Sequence, residues 1–182
     1  MNDDELYKRF MGGDSGAYDS LMLKYEDELL LYLKGFLYSW EDAEDLMIEA
    51  FARILSARPR IREGGFKAYL FRTGHNLMAR YYKRDRRRED FSLDELESEP
   101  AAECNIDDEL WKDEKKRILI RCMNRLPAEM REALWLVYFE DMSYKDAARI
   151  THKTVKKIDN LLARGKILLR EELAGEGVTD AY

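Results

Sequence analysis

The chain has 182 residues, with 31 Lys and Arg against 37 Asp and Glu, for a formal net charge of -6. Apolar content of 46% allows a sizeable core for one domain or two small ones, and 10 Gly with 3 Pro leave few breakers, which favours helix. Two distant cysteines (Cys104, Cys122), two histidines without metal-ligand spacing (His75, His152) and an acidic, non-apolar N-terminus argue against a zinc site, a disulfide framework and a signal peptide.

The elements follow in chain order. Asp3 to about Met11 reads as a short helix with Leu6 and Phe10 on one side. The run GGD at 12–14 breaks it, and Asp14 or Ser15 can cap a second helix to about Tyr38. Its most apolar part, Leu29 to Tyr38, contains Lys34 and is too short to span a bilayer. Ser39 caps a third helix, WEDAEDLMIEAFARIL, whose acidic start suits the helix dipole. Pro59 and Gly64-Gly65 end that unit. A fourth helix is expected from Phe66 to about Lys83, ending at KRDRRR.

Composition shifts after Arg88. Residues 89–114 hold twelve acids against Lys112 alone, and Glu89 to about Ile106 shows no periodicity, which reads as a flexible acidic linker. Helical pattern returns near Asp107 and persists to about Leu173. Pro127 suits a helix first turn, Ser143 caps SYKDAARI, and Thr151 caps the helix after it. The expected fold is all-α: two small helical domains, residues 1–88 and 113–182, joined by a linker at 89–112.

Charge is segregated between these parts. Residues 1–50 hold thirteen acids and four bases, whereas 75–88 and 151–170 each hold six bases and one acid. An acidic total therefore conceals two basic surfaces.

On the fourth helix, Phe66, Leu70, Leu77 and Tyr81 share a core stripe, widened by Phe71, Met78 and Tyr82. About a quarter turn away lie Tyr69, Arg72, Asn76, Arg80 and Lys83. Cations hold phosphates, a ring stacks on an unpaired base, and an amide bonds a base edge. That mixture suits a single strand better than a closed duplex, although a solvated polar face would look similar. Near the C-terminus, a short helix (144–150) and a longer one (152 onward) have the layout of a helix-turn-helix. Val155, Ile158, Leu161, Leu162 and Leu169 would pack inward, and Lys153, Lys156, Lys157, Asn160 and Arg164 would face outward. An ordinary helical hairpin with a basic exterior is the plainer alternative.

The motifs, in order, resemble those of the bacterial sigma-70 family of RNA polymerase sigma factors. GDSGAYDSLMLKY (13–25) resembles the family's opening, and DAEDLMIEAFARI (42–54) the "DAEDL.QE.F.R" signature of region 2. FKAYLFRTGHNLMARYY resembles the stretch that follows it. RLPAEMREALWLVYFEDMSYKDAARI resembles the start of region 4. The likeness covers about residues 5–88 and 113–173 and is that of a small alternative factor, with an extracytoplasmic-function-like region 2. Its helix-turn-helix, AARITHKTVKKIDNLLARGK, is three residues shorter than that type's and lacks the turn glycine, and is closer to stationary-phase and sporulation factors. Ile48, Tyr69 and Arg80 stand where glutamine, tryptophan and aspartate are common.

The resemblance implies a factor without catalysis, cofactor or metal, acting in the cytoplasm. It implies that the DAEDL helix binds the clamp helices of the polymerase largest subunit through Asp42, Asp45, Leu46, Glu49 and Arg53. Capping alone could account for Asp42, and Leu46 could be core. Region 2 would capture the −10 element with Tyr69, Arg72, Asn76, Arg80 and Lys83 and with loop residues Arg84, Arg86 and Arg87. Region 4 would read the −35 element with Lys153, Lys156, Lys157, Asn160 and Arg164. The flap of the second-largest subunit, promoter DNA and an anti-sigma factor complete the implied partners. Two rivals stand beside this reading. One is a helix-turn-helix regulator independent of core polymerase. The other is a carboxylate-metal enzyme built on Glu41, Asp45 and Glu49, which would want histidine partners that the spacing does not provide.

Overall fold

The computed structural model describes residues 1–88 and 111–179, with Arg86, Arg87 and Arg88 described in their backbone alone. The described residues are helical and contain no strand. The chain divides into two compact units, Met1–Ser92 and Leu93–Tyr182. The expected linker lies almost wholly outside the described residues, as does Cys104. No helix among the described residues is long and apolar enough to cross a membrane.

Unit 1 contains α1 (Asp3–Met11), α2 (Ser15–Lys34), α3 (Trp40–Ala57) and α4 (Phe66–Arg88). The caps are local and largely those that the sequence announces. The Asn2 side chain accepts from the Glu5 backbone and Glu5 reaches back, a reciprocal box. Asp14 accepts from Ala17 N–H, and the hydrogen-bonded Arg9 guanidinium holds its carboxyl below the ordinary aspartate range. Ser39 accepts from Asp42 N–H at 3.0 Å.

The core of unit 1 is aromatic. Phe10, Tyr18, Tyr32, Phe51, Phe66 and Phe71 are essentially inaccessible. The Tyr18 hydroxyl donates to the Phe51 carbonyl at 2.6 Å, which joins α2 to α3 without leaving a buried donor unpaired. Gly74 lets α4 approach α2, because a Cβ there would lie 2.9 Å from Leu29 Cδ1.

Unit 2 contains α5 (Glu114–Asn124), α6 (Ala128–Leu134), a π-helical turn (Trp135–Phe139), α7 (Tyr144–Thr151) and α8 (Val155–Gly175). Leu126, Met130, Leu134, Leu136, Ile150, Ile158, Leu161 and Leu162 fill its centre. The rings of Trp135 and Phe139 stack 4.4 Å apart, and Trp135 Nε1 donates to the buried Glu140 at 3.0 Å.

Several expected boundaries move. The second helix stops at Lys34 with Gly35 as its cap, four residues before Tyr38. The fourth helix does not end at Lys83 but continues to Arg88, because lysine and arginine are good helix formers and a charge run contains no breaker. Residues 111–113 are not helical, and α5 starts at Glu114 on the Asp113 cap. Pro127 is the residue before α6 rather than in its first turn. Thr151 ends α7, its hydroxyl donating to the Ala147 carbonyl, and Thr154 caps α8 instead.

Candidate nucleic-acid and protein interfaces

Helices α3 and α4 meet along an open groove of about 560 Å³. From α4 it is lined by Tyr69, Thr73, Asn76, Leu77 and Arg80, and from α3 by Glu49, Ala52, Arg53, Ser56 and Ala57. A second hollow of about 360 Å³ is lined by Arg53, Leu77, Arg80, Lys83 and Arg84. Tyr69 stands 37% exposed at the groove, a ring that the solvent reaches. Of the aromatic-basic stripe expected on α4, Tyr69, Asn76 and Arg80 therefore line the groove, Lys83 lines the second hollow with Arg80, and Arg72 is exposed outside both linings. Arg84, Arg86 and Arg87 are helical rather than in a loop, so the cations continue along the same rod. Beneath the stripe, Phe66, Leu70, Phe71, Leu77 and Met78 are buried, while Tyr81 and Tyr82 are half-buried.

The acidic helix separates into distinct environments. Asp42 is turned inward: its Oδ2 accepts from Ser39 Oγ at 2.8 Å and from the Tyr81 hydroxyl at 2.9 Å. Leu46 is buried in the core of unit 1. Glu49 is ion-paired to Arg53 at 2.6 Å, and both line the α3–α4 groove. Asp45 alone of the five is exposed and outside the groove lining. Its outer face continues through Glu41, Glu44, Ile48 and Leu55, with Ile48 58% and Leu55 44% exposed. From the sequence Ile48 is singled out only as standing where glutamine is common and Leu55 not at all, although a helical wheel places both opposite the buried Leu46, Ala50 and Ile54.

In unit 2, Ser143 caps α7 by accepting from Asp146 N–H at 3.0 Å. The chain then reverses at His152, which adopts the left-handed conformation (φ 55) usually given to glycine. Lys153 N–H closes the turn on the Ala148 carbonyl at 2.9 Å, and Thr154 accepts from Lys157 N–H at 3.1 Å. Helix α8 therefore starts at Val155, and Lys153 lies in the turn rather than on the helix. Val155 is 44% exposed, contrary to its expected core position, because a first-turn residue lies ahead of the packed segment. Ile158, Leu161 and Leu162 are buried as expected, and Leu169 is half-buried. Lys156, Asn160 and Arg164 repeat every fourth residue on the exposed side of α8.

An apolar groove of about 500 Å³ also opens in unit 2, lined by Leu119, Met123, Leu134, Phe139, Leu169 and Leu173 and rimmed by Lys166 and Arg170. The Lys166 amine lies 4.9 Å from the Tyr138 ring centre, and its pKa is raised by hydrogen bonding to that tyrosine. Among the described residues, no group of three His, Cys, Asp or Glu side chains is gathered for a metal ion.

A capped helix-turn-helix in one unit and a grooved helical bundle in the other define the class: a two-unit all-helical protein. The family model for sigma-70 region 2 matches residues 21–88, and that for sigma-70 region 4 matches 116–169, together more than half of the chain. The chain belongs to the sigma-70 family of RNA polymerase sigma factors.

Similar proteins include the RNA polymerase sigma-H factor of Pseudomonas aeruginosa, 26% identical over 90% of each chain. The ECF RNA polymerase sigma factor SigM of Bacillus subtilis is 26% identical over 99% of each. Among solved structures, the sigma factor RpoE of Bartonella quintana, bound to the anti-sigma factor NepR, is similar at a TM-score of 0.66. That match has 23% identity and covers 86% of this chain and 96% of that one. At that identity the likeness concerns the fold.

Proposed function

We propose that this protein binds core RNA polymerase and directs it to promoters by recognising a −10 and a −35 element and helping to open the DNA. The carrying observation is that the two family regions coincide with two cationic surfaces, the α3–α4 groove and the outer side of α8. The domain division follows the same lines: region 2 at 1–88, a linker at 89–112, and region 4 at 113–182.

In region 2, Tyr69 supplies a stacking face for an unpaired base of the −10 element. Asn76 offers an amide to a base edge, and Arg72, Arg80, Lys83, Arg84, Arg86 and Arg87 serve the phosphates. Separation of the strands follows from differential binding: a groove that holds unstacked bases favours the open state by as much as it prefers it. In region 4, Lys156, Asn160 and Arg164 face the major groove of the −35 element, flanked by Lys153 and Lys157.

The polymerase contact is the outer face of α3. Asp45, Glu41 and Glu44 provide acids for a basic clamp, and Ile48 and Leu55 provide an apolar centre. The apolar groove of unit 2 suits the flap of the second-largest subunit. Occupancy of such faces by an anti-sigma factor would silence the protein; the similar sigma factor RpoE has been solved in complex with the anti-sigma factor NepR. The factor itself supplies no bond chemistry and works in the cytoplasm, where the polymerase catalyses.

A plain regulator independent of polymerase is disfavoured, because region 2 would then have no role. The test is transcription by bacterial core polymerase on chromosomal fragments, with start sites mapped with and without the protein. A discrete set of protein-dependent starts sharing two upstream elements is expected. In the Tyr69→Ala/Arg80→Ala variant those starts should fade while polymerase binding persists. No protein-dependent start from any fragment would contradict the reading.

A further inference from the structure

We propose that Glu129 is a specificity-determining residue of the helix-turn-helix: it restrains Lys153 and Lys157 and so limits sequence-independent binding to duplex DNA. The inference rests on the reading of α8 as the duplex-facing helix.

Glu129 stands in the first turn of α6 and is exposed. Its Oε1 lies 3.3 Å from Lys153 Nζ and its Oε2 3.8 Å from Lys157 Nζ. One carboxylate thus spans the turn and the first turn of α8. That first turn contains Lys156 and Lys157 and no acid, although the positive end of a helix favours one. Glu129 supplies from a neighbouring helix the negative charge that the first turn of α8 lacks.

The two lysines are not equivalent to the rest of the face. The Lys153 side chain is 20% exposed and held against Glu129, whereas Lys156 and Arg164 are exposed and form no ion pair among the described residues. The α8 surface is therefore divided into a restrained pair and an unrestrained stripe.

Phosphate contacts carry sequence-independent affinity and its salt dependence, whereas base-edge contacts carry discrimination. A carboxylate shared between two lysines weakens the first and leaves the Lys156–Asn160–Arg164 stripe intact. A phosphate must compete with Glu129 for each amine. The Glu129–Lys157 pair is solvent-exposed and the Glu129–Lys153 pair is partly so, and pairs of that kind add little to folding, so their weight falls on binding. Random duplex would be held less tightly, and the preference for a matching site would rise correspondingly.

The experiment uses the full chain and a fluorescein-labelled duplex of mixed sequence, followed by anisotropy from roughly 50 to 200 mM KCl. Glu129→Gln is expected to bind about threefold or more tighter at the low-salt end, with a salt slope steeper by about one. Its melting temperature should stay that of the wild type. In a Lys153→Ala/Lys157→Ala background the same substitution should change nothing. Binding that is unchanged or weaker in a folded Glu129→Gln variant overturns the proposal. Lys156→Ala and Arg164→Ala separate the two levels. If they weaken duplex binding while Glu129→Gln is silent, only the restraint fails. If they are silent as well, the reading of α8 fails and the restraint falls with it.

Discussion

Tyr18 and Tyr25 show how single side chains constrain unit 1. Both phenols are buried, and burial pushes their pKa values well above the ordinary 10.0. Tyr25 is raised further by its hydrogen bond to Asp3. An acid whose folded pKa is raised holds its proton more tightly when folded, so its stabilisation is complete below the unfolded value and declines as pH rises through it and beyond. Melting temperature should therefore hold from neutral pH to near 10 and fall above it. Melts followed by circular dichroism between pH 8 and 11 check this. Tyr18→Phe should cost about 1 kcal/mol, since the buried bond to the Phe51 carbonyl is lost. Asp42 belongs at the same scale. Its bond to Ser39 is the capping role the sequence suggests, whereas its bond to Tyr81, which makes it a fixture between α3 and α4, is not legible there.

The helices carry the next level of the account, and α8 is its clearest case. Its start depends on Thr154 accepting from Lys157 N–H. Thr154→Ala should cost about 1 kcal/mol and fray the turn that presents Lys156 and Lys157. A chemical-denaturation midpoint and duplex binding, measured side by side, check both effects.

The existence of α8, its buried Ile158, Leu161 and Leu162 and its exposed stripe are legible in the sequence, because periodicity reports burial directly. Its first residue is not. The reversal falls at His152, which takes a left-handed conformation without the glycine that normally marks it, so the helix reads as starting three residues early. That offset places Lys153 on the helix and Val155 in the core, and neither holds. The stripe on α4 is legible for the same reason as α8, whereas the groove it faces is not. Which side of α3 closes that groove depends on packing, and packing moves Glu49 and Arg53 to the groove wall and leaves Asp45 outside it. The passage of α4 through its basic run is invisible to any rule that reads charge clusters as helix ends.

At the scale of the molecule, charge is divided by surface. The outer face of α3 is acidic with an apolar centre, and the α4 groove and α8 are cationic. An acidic chain with two basic surfaces is what a factor needs that meets a protein on some faces and DNA on others. Specificity then arises because two modest contacts on one chain act together, the second gaining from the effective concentration set by the first.

The most direct measurement of the central claim is co-elution with bacterial core RNA polymerase on a sizing column. Wild type is run beside Asp45→Arg/Ile48→Arg, both positions being exposed on α3 and outside the unit 1 core. The account predicts that the wild type travels with the polymerase and the variant, equally folded, does not. A wild type that elutes alone, with no inhibitor present, would contradict it.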